Sequence, residues 1–302
     1  MKTISVVLIV KNEEALLARC LNSVKDADEI IICDTGSTDK TIEIAKQYTD
    51  KIYTDFVWCD SFEKARNHAK SKATKDWILS IDADEVCHDF SKVREAIEIA
   101  KDCVGVYLDG EGAKAGFRCP RLFRNTPDIA WFGAIHNHIG VTKEGDEKGM
   151  NVSGSGELVG DVRITYGYSP AHQLDPDRSL RILLRECEND PDRTKSRERY
   201  YLGRELWYKQ RYLEATKWLG EHVQITNFTA EKADSFLCMS RCYSTMGMDD
   251  DARDACLQAV NLNSHFKEAI LFMAAISLDA NAEQWKRMAE TADNSNVLFV
   301  RT

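Results

Sequence analysis

Asp76-Trp77-Ile78-Leu79-Ser80-Ile81-Asp82-Ala83-Asp84-Glu85 is the stretch whose reading decides the fold. A run of apolar and β-forming residues ends abruptly in carboxylates. A buried strand over 77–81 delivers Asp82 and Asp84 to its open end, on one face if the extended backbone continues. Ligands of open α/β sheets bind outside the carboxyl ends of the strands. Two carboxylates this close repel unless a cation joins them, and a hard divalent cation with carboxylate ligands neutralises phosphate oxygens. A solvated acidic turn is the plainer reading of the same residues.

The residues before this stretch alternate between strand and helix patterns. Residues 4–10 read as a buried β-branched strand, and 14–24 as a helix with Ala15, Leu16, Cys20, Leu21 and Val24 in one stripe. A second strand over 29–33 runs into Asp34-Thr35-Gly36-Ser37-Thr38-Asp39, a tight turn followed by helix-start residues. A helix over 41–48, a short strand over 51–54 and a helix over 62–73 lead to the strand at 77. Such alternation predicts βαβ units in a mostly parallel, doubly wound sheet, whose default ligand is a nucleotide. Gly-x-Gly-x-x-Gly and the Walker lysine motif are both absent, so neither a dinucleotide fold nor a P-loop is supported. Phosphate must then be neutralised in another way, and a metal at Asp82 and Asp84 would do it. Asp34 opens onto the same edge. Its acceptor-only carboxylate suits an imide N–H such as that of uracil, with an Asx-turn as the plainer role.

Four motifs occur in order: Val10-Lys11-Asn12-Glu13-Glu14, the run from Asp28 to Thr41, Ala65-Arg66-Asn67, and Asp82-Ala83-Asp84. Together they resemble family 2 glycosyltransferases with a GT-A fold, across the first half of the chain. The resemblance implies that Val10, Glu13, Asp34, Arg66, Asp82 and Ala83 line a nucleotide pocket. It implies that Asp84, with Asp82, holds Mn2+ or Mg2+ against the two phosphates of a nucleotide sugar, a UDP-sugar in the first instance. It also implies inversion at the anomeric carbon by a single displacement.

Residues 104–108 and 116–123 alternate as further strands, with Arg118, Arg121 and Arg124 between or beside the apolar positions. Arg121-Leu122-Phe123-Arg124 followed by Trp131-Phe132-Gly133-Ala134-Ile135-His136-Asn137 looks like a subfamily pattern that commonly ends in His-Glu, where the Glu is the candidate general base. Asn137 stands in its place and takes no proton. His136 and His138, which strand alternation would put on one face, are candidate replacements, and Asp128 is a third. An imidazole titrates in the useful range and can ligate a metal, although a structural histidine explains either residue as well. Residues 141–160 form a long polar, glycine-rich loop, read as a lid over the donor or as a mobile hairpin. Thr165 stands where related proteins often carry a histidine, and His172 is the nearby alternative.

From 175 on, strand signals cease. Helical stripes run over 176–188, 197–208, 212–225, 230–246, 250–262, 266–278 and 282–289, with short loops that make neighbours antiparallel. Leu202-Gly203, Leu206 and Ala215 recur as Met239-Ser240, Tyr243 and Ala252, a period of 37. The pattern resembles tetratricopeptide repeats, loosely. Such arrays make concave surfaces that bind peptides or other chains; a helical cap or a homo-oligomer contact is the plainer role. The expected organisation is thus a GT-A domain over 1–174 and an all-α, TPR-like domain over 175–302.

At 302 residues, 43% hydrophobic and 29% charged, the chain has the composition of a soluble globular protein. A net charge of −9 gives no global basic field for nucleic acid or an anionic membrane. The apolar run at 4–10 is too short to span a membrane and lacks a cleavage site, so no signal peptide is read. Ten cysteines are scattered singly, which suits a reducing cytoplasm; Cys238 and Cys242 share i, i+4 spacing but have no ligand cluster beside them. The expected activity is sugar transfer to a macromolecular acceptor, a peptide, a protein or an oligosaccharide. Locally basic helices over 178–211 leave a hydroxymethylated nucleic-acid base as a second acceptor class. A non-catalytic repeat scaffold with a degenerate transferase domain is the rival of another kind.

Overall fold

The computed structural model describes residues 1–111, 116–141, 150–151, 159–277 and 280–292. The chain separates into two compact units, Met1–Pro176 and Asp177–Thr302. The first begins with β1 (Ile4–Val10), α1 (Leu17–Ser23), β2 (Glu29–Asp34), α2 (Thr41–Ala45), β3 (Ile52–Tyr53), α3 (Phe62–Ser71) and β4 (Trp77–Ser80). It continues with β5 (Glu85–Cys87), α4 (Phe90–Ile99), β6 (Cys103–Gly110), β7 (Phe117–Arg124), β8 (Ile129–Phe132), β9 (His138–Val141), β10 (Met150–Asn151) and β11 (Arg163–Tyr166).

Among the described residues the main sheet has the order β3-β2-β1-β4-β7-β6-β11-β5, and a smaller sheet the order β10-β9-β8. The β3-β2-β1-β4 half is parallel, as the βαβ pattern requires. Beyond it, β7 runs antiparallel to both β4 and β6, so the whole sheet is mixed. Strands β1, β2 and β4 read as continuous apolar runs because both faces are covered. Period-2 alternation sends Val6, Leu8 and Leu79 to a core shared with Leu17, Leu21, Val93 and Ile97. It sends Val7, Ile31 and Ile78 to the opposite core, with Phe123 and with Trp131 and Ile139 of the small sheet. This is the GT-A arrangement that the family resemblance implies.

Glu29 pins the start of β2. Its buried carboxylate takes an ion pair from Lys51 and hydrogen bonds from Ser5 Oγ at 2.5 Å and from the Thr74 N–H and Oγ1, each at 2.8 Å. Burial alone would raise this carboxyl, but these donors outweigh it and hold it at about 2. A depressed carboxyl stabilises the fold above its unfolded pKa near 4.5, and that stability is lost as pH falls towards 2. Glu29→Gln should lose about 2 kcal/mol at pH 7 and flatten this acid dependence. Urea unfolding midpoints between pH 3 and 7 measure both; parallel wild-type and variant curves would refute the assignment.

The second unit comprises α5 (Arg178–Glu188), α6 (Ser196–Tyr208), α7 (Tyr212–Ile225), α8 (Thr229–Thr245), α9 (Asp249–Leu262), α10 (Lys267–Ile276) and α11 (Ala280–Thr291). Helices pack in sequence-adjacent pairs, α6 with α7, α8 with α9 and α10 with α11. The 37-residue recurrence has a steric cause. A Cβ on Gly203 would lie 2.4 Å from Leu219 Cγ, so α6 and α7 approach too closely for any side chain there. At the equivalent place Ser240 Oγ donates to the Ala252 carbonyl at 2.5 Å, tying α8 to α9. No described helix is long and apolar enough to cross a membrane. The lid read over 141–160 falls largely on residues outside those described.

Candidate active site

Strand β4 stops at Ser80, and the acidic stretch that follows is a turn. The Glu85 N–H donates to the Asp82 carbonyl at 3.0 Å, and the Asp82 N–H donates back to the Glu85 carboxylate at 2.8 Å. Extended alternation therefore does not set the directions of Asp82 and Asp84, contrary to the strand reading. Asp82 accepts from Arg66 Nη2 at 2.8 Å on one oxygen and from Arg121 at 3.4 Å on the other. Arg121 also donates to Glu85 at 2.8 Å. Burial would raise the Asp82 carboxyl, but the two guanidinium groups hold it well below the usual carboxylate range. Burial pushes Glu85 the other way, to about 7, with the Asp82 charge adding to it against the pull of Arg121.

Ala65-Arg66-Asn67 performs three tasks on α3. Ala65 is fully buried. Arg66 donates to Ser80 Oγ at 3.2 Å and lies over the Trp131 ring, 4.9 Å from its centroid. Asn67 pairs with the Trp131 backbone through both its amide nitrogen and its oxygen, at 2.8 and 2.9 Å. Arg66 Nε is buried with no partner, the kind of orphaned donor that a ligand or water satisfies.

Asp84 is anchored by its backbone. Its carbonyl accepts from the Gly167 N–H at 2.9 Å and from Arg19 Nη2 at 3.4 Å, and the residue is half-buried. Among the described residues no group of three or more His, Cys, Asp or Glu side chains is arranged to hold a metal. Both Asp82 oxygens accept from arginines, so a cation shared by Asp82 and Asp84 would use the lone pairs that these contacts leave over. One carboxylate still suits Mg2+ or Mn2+, hard ions that take one or two carboxylates and complete their shell with phosphate oxygens and water.

The opposite end of the edge is built on Asp34. Its carboxylate accepts from the Gly36 N–H at 3.0 Å and the Ser37 N–H at 3.1 Å, an Asx-turn in which Gly36 adopts φ +109°. Any base contact would use the lone pairs that this turn leaves over. Asn12, itself at φ 57°, accepts from the Thr38 N–H at 2.8 Å and locks the β1–α1 loop to the same turn. Glu13 accepts from Ser169 Oγ at 2.7 Å. Burial pushes Glu13 up to about 7 against that hydrogen bond, and the charges of Asp84 and Asp82 add to the rise. Val10 and Ala83 are buried, and the Val10 carbonyl is used by the Thr35 N–H at 2.9 Å.

The three base candidates part company. Phe132 faces His138 across the β8–β9 hairpin, so His136 lies in the connecting turn, exposed and at φ 48°. The shared strand face expected for His136 and His138 does not exist. His138 stacks on Phe132, with ring centroids 5.9 Å apart. Asp128 follows β7, whose Arg124 pairs with Trp77 at the start of β4. It therefore sits at the amino edge of β4, where its charge acts on Lys70, at the far end of that strand from Asp84. Asn137 Nδ2 is buried without a partner. Thr165 lies on β11, and His172 falls in the 3-10 turn at Pro170–Leu174.

Three groups escaped the sequence reading: Glu85, the carboxylate partnership of Arg121, and Ser169. Glu85 adjoins the acidic pair, but its burial against a strand 36 residues later leaves no local pattern.

Residues 5–140 match the model described as glycosyl transferase family 2. A TPR repeat-containing protein of Synechococcus elongatus is 41% identical over 147 residues, 46% of this chain and 36% of that one. The prophage-derived glycosyltransferase SunS of Bacillus subtilis is 28% identical over 236 residues, 73% of this chain and 53% of that one. The chain spans between about a third and about half the length of these two relatives. Among solved structures, S. aureus TarS 1-349 in complex with UDP is 14% identical with a TM-score of 0.45, covering 86% of this chain and 91% of that one. Four motifs in order and a βαβ half-sheet ending in the acidic turn agree with the match of residues 5–140 to glycosyl transferase family 2.

Proposed function

We propose that the protein transfers a sugar from a nucleotide sugar, a UDP-sugar, to a macromolecular acceptor with inversion. The observation that carries the reading is the division of labour at the end of β4: Asp82 is locked by Arg66 and Arg121, while Asp84 is held through its backbone at the same edge. Asp34, Glu13 and the Asn12 loop shape the base and ribose end, and Arg66 offers its orphaned Nε to the donor. A divalent cation on Asp84 would supply neutralisation of the diphosphate as it departs. The helical unit engages the acceptor, a peptide, protein or oligosaccharide. The described cysteines form no disulfide, which suits a reducing cytoplasm.

Thermal melting with UDP and MnCl2 tests the donor site. Ligand at a hundred times its Kd adds about 2.7 kcal/mol, a rise of a few degrees for a chain of this size. An unmoved melting curve would refute the reading. Asn137, with its buried unpartnered amide, favours a non-catalytic scaffold as the second reading; binding of UDP without any release of UDP from a sugar donor would select it.

A further inference from the structure

We propose that Ser169 is a positioning residue for the donor. Its hydroxyl holds the Glu13 carboxyl so that the second oxygen of Glu13 accepts from the ribose hydroxyls, which makes the site select ribonucleotides. The inference rests on the nucleotide-sugar reading and assigns the middle of that pocket.

The chain leaving β11 forms a crosspiece over the open end of the sheet. The Glu111 N–H donates to the Tyr166 carbonyl at 3.1 Å, and the Gly167 N–H to the Asp84 carbonyl at 2.9 Å. Two residues on, Ser169 is buried, and its Oγ donates to Glu13 Oε2 at 2.7 Å. The approach at Gly167 leaves no room for a side chain. A Cβ there would lie 3.2 Å from the Asp84 carbonyl oxygen and 3.1 Å from Arg19 Nη2. Arg19 in turn pairs with Glu111 at 2.9 Å, so the crosspiece is tied down on both sides. Residues 167–169 thus fasten Glu13 to the backbone of the acidic turn.

Glu13 is fastened at the other end as well. Its N–H donates to Thr41 Oγ1 at 2.7 Å, just past the turn built on Asp34, and Asn12 beside it accepts from Thr38. The charges of Asp84 and Asp82 reach its carboxyl. Glu13 therefore stands between Asp34 and Asp84, the residues assigned to the base and to the diphosphate. In a nucleoside diphosphate the ribose lies between those two groups, and its hydroxyls are donors that suit a carboxylate. The neighbouring Asp39 is already committed to the Thr41 N–H at 2.9 Å and the Glu14 N–H at 3.1 Å. Glu13 is half-buried, and among the described residues its other oxygen takes no hydrogen bond. Without Ser169 the side chain would have to be ordered by the ligand itself.

Calorimetric titration with UDP and with 2′,3′-dideoxy-UDP, each with MnCl2, tests the assignment. At pH 8 Glu13 is above the value of about 7 to which burial raises it and carries its charge. A site built to hydrogen-bond a hydroxyl rejects the analogue lacking it, because its own polar group is left unpaired. The wild type should bind UDP roughly 10-fold or more tightly than the dideoxy form. Glu13→Met should remove most of that preference. Ser169→Ala should lower it ~2–10-fold, the cost of ordering one freed side chain, and should change nothing further in the Glu13→Met background. Gly167→Ala keeps both side chains but displaces the crosspiece, and should lower the preference in the same way. Equal affinities in the wild type, or a preference that survives Glu13→Met, would overturn the assignment. So would Ser169→Ala and Gly167→Ala proteins whose two affinities keep the wild-type ratio. A wild type that binds neither nucleotide refutes the donor reading itself.

Discussion

Asp84→Asn is expected to abolish the Mn2+-dependent part of the melting shift and to lower UDP release by ~10²–10³-fold. A metal that stabilises developing charge on a phosphoryl oxygen contributes several kcal/mol to the transition state, and each 1.4 kcal/mol is a factor of ten in rate. The change keeps the Asp84 carbonyl, which holds the turn to the Gly167 N–H and to Arg19. The melting temperature without ligand should therefore stay close to wild type. An Asp84→Asn protein that keeps the Mn2+ effect would show that the metal, if any, is held elsewhere. Asp82→Asn makes the contrast. It strips a charge from two buried guanidinium groups, so its first symptom should be lost stability.

Arg121→Met should be the most destabilising change at the site. Arg121 bridges Asp82 and Glu85, and the Glu85 side chain is only 4% exposed. Removing one partner from a buried ionic cluster costs about 3–5 kcal/mol, because the remaining charges keep their desolvation penalty. Protonation relieves part of it. Glu85 is already raised to about 7 through burial and the Asp82 charge, and it loses the strongest of the influences that pull it down. A carboxyl raised in the folded state destabilises as pH rises above its unfolded pKa, so the deficit of the variant should be larger at pH 8 than at pH 6. Urea unfolding at the two pH values decides it; a deficit independent of pH would mean that Glu85 is not the group left exposed. Arg121→Lys should rescue little, since an ammonium cannot reach two carboxylates with the geometry of a guanidinium.

Much of this architecture is local in origin and was legible. Strand β1 and helix α7 have the bounds read from their apolar pattern, the other elements that were read differ from their stripes mostly at the ends, where frayed turns carry no pattern, and β5 and α4 were not read at all. The recurrence of Gly203 and Ser240 at 37 residues was legible, but not the contacts behind it, the close approach of Gly203 to Leu219 and the Ser240 hydrogen bond to Ala252. Asp34 was legible as an Asx-turn residue because that turn closes within three residues.

What stayed hidden depends on partners far apart in the chain. Arg121 reaches Asp82 and Glu85 across 39 and 36 residues, and Ser169 meets Glu13 across 156. No periodicity records such a meeting, since it follows from strand order and register. Register also moved Asp128 to the far end of β4, and the hairpin turn removed His136 from the strand it was read on.

The sequence alone determined that an apolar strand would end in Asp82-Ala83-Asp84 at the nucleotide edge of an α/β sheet, because hydrophobic alternation and turn residues act over a few positions. Only the tertiary structure decided what those carboxylates do there. A buried charge is governed by the groups brought against it. Two arginines from other elements claim Asp82, and the Gly167 N–H and Arg19 hold the Asp84 carbonyl.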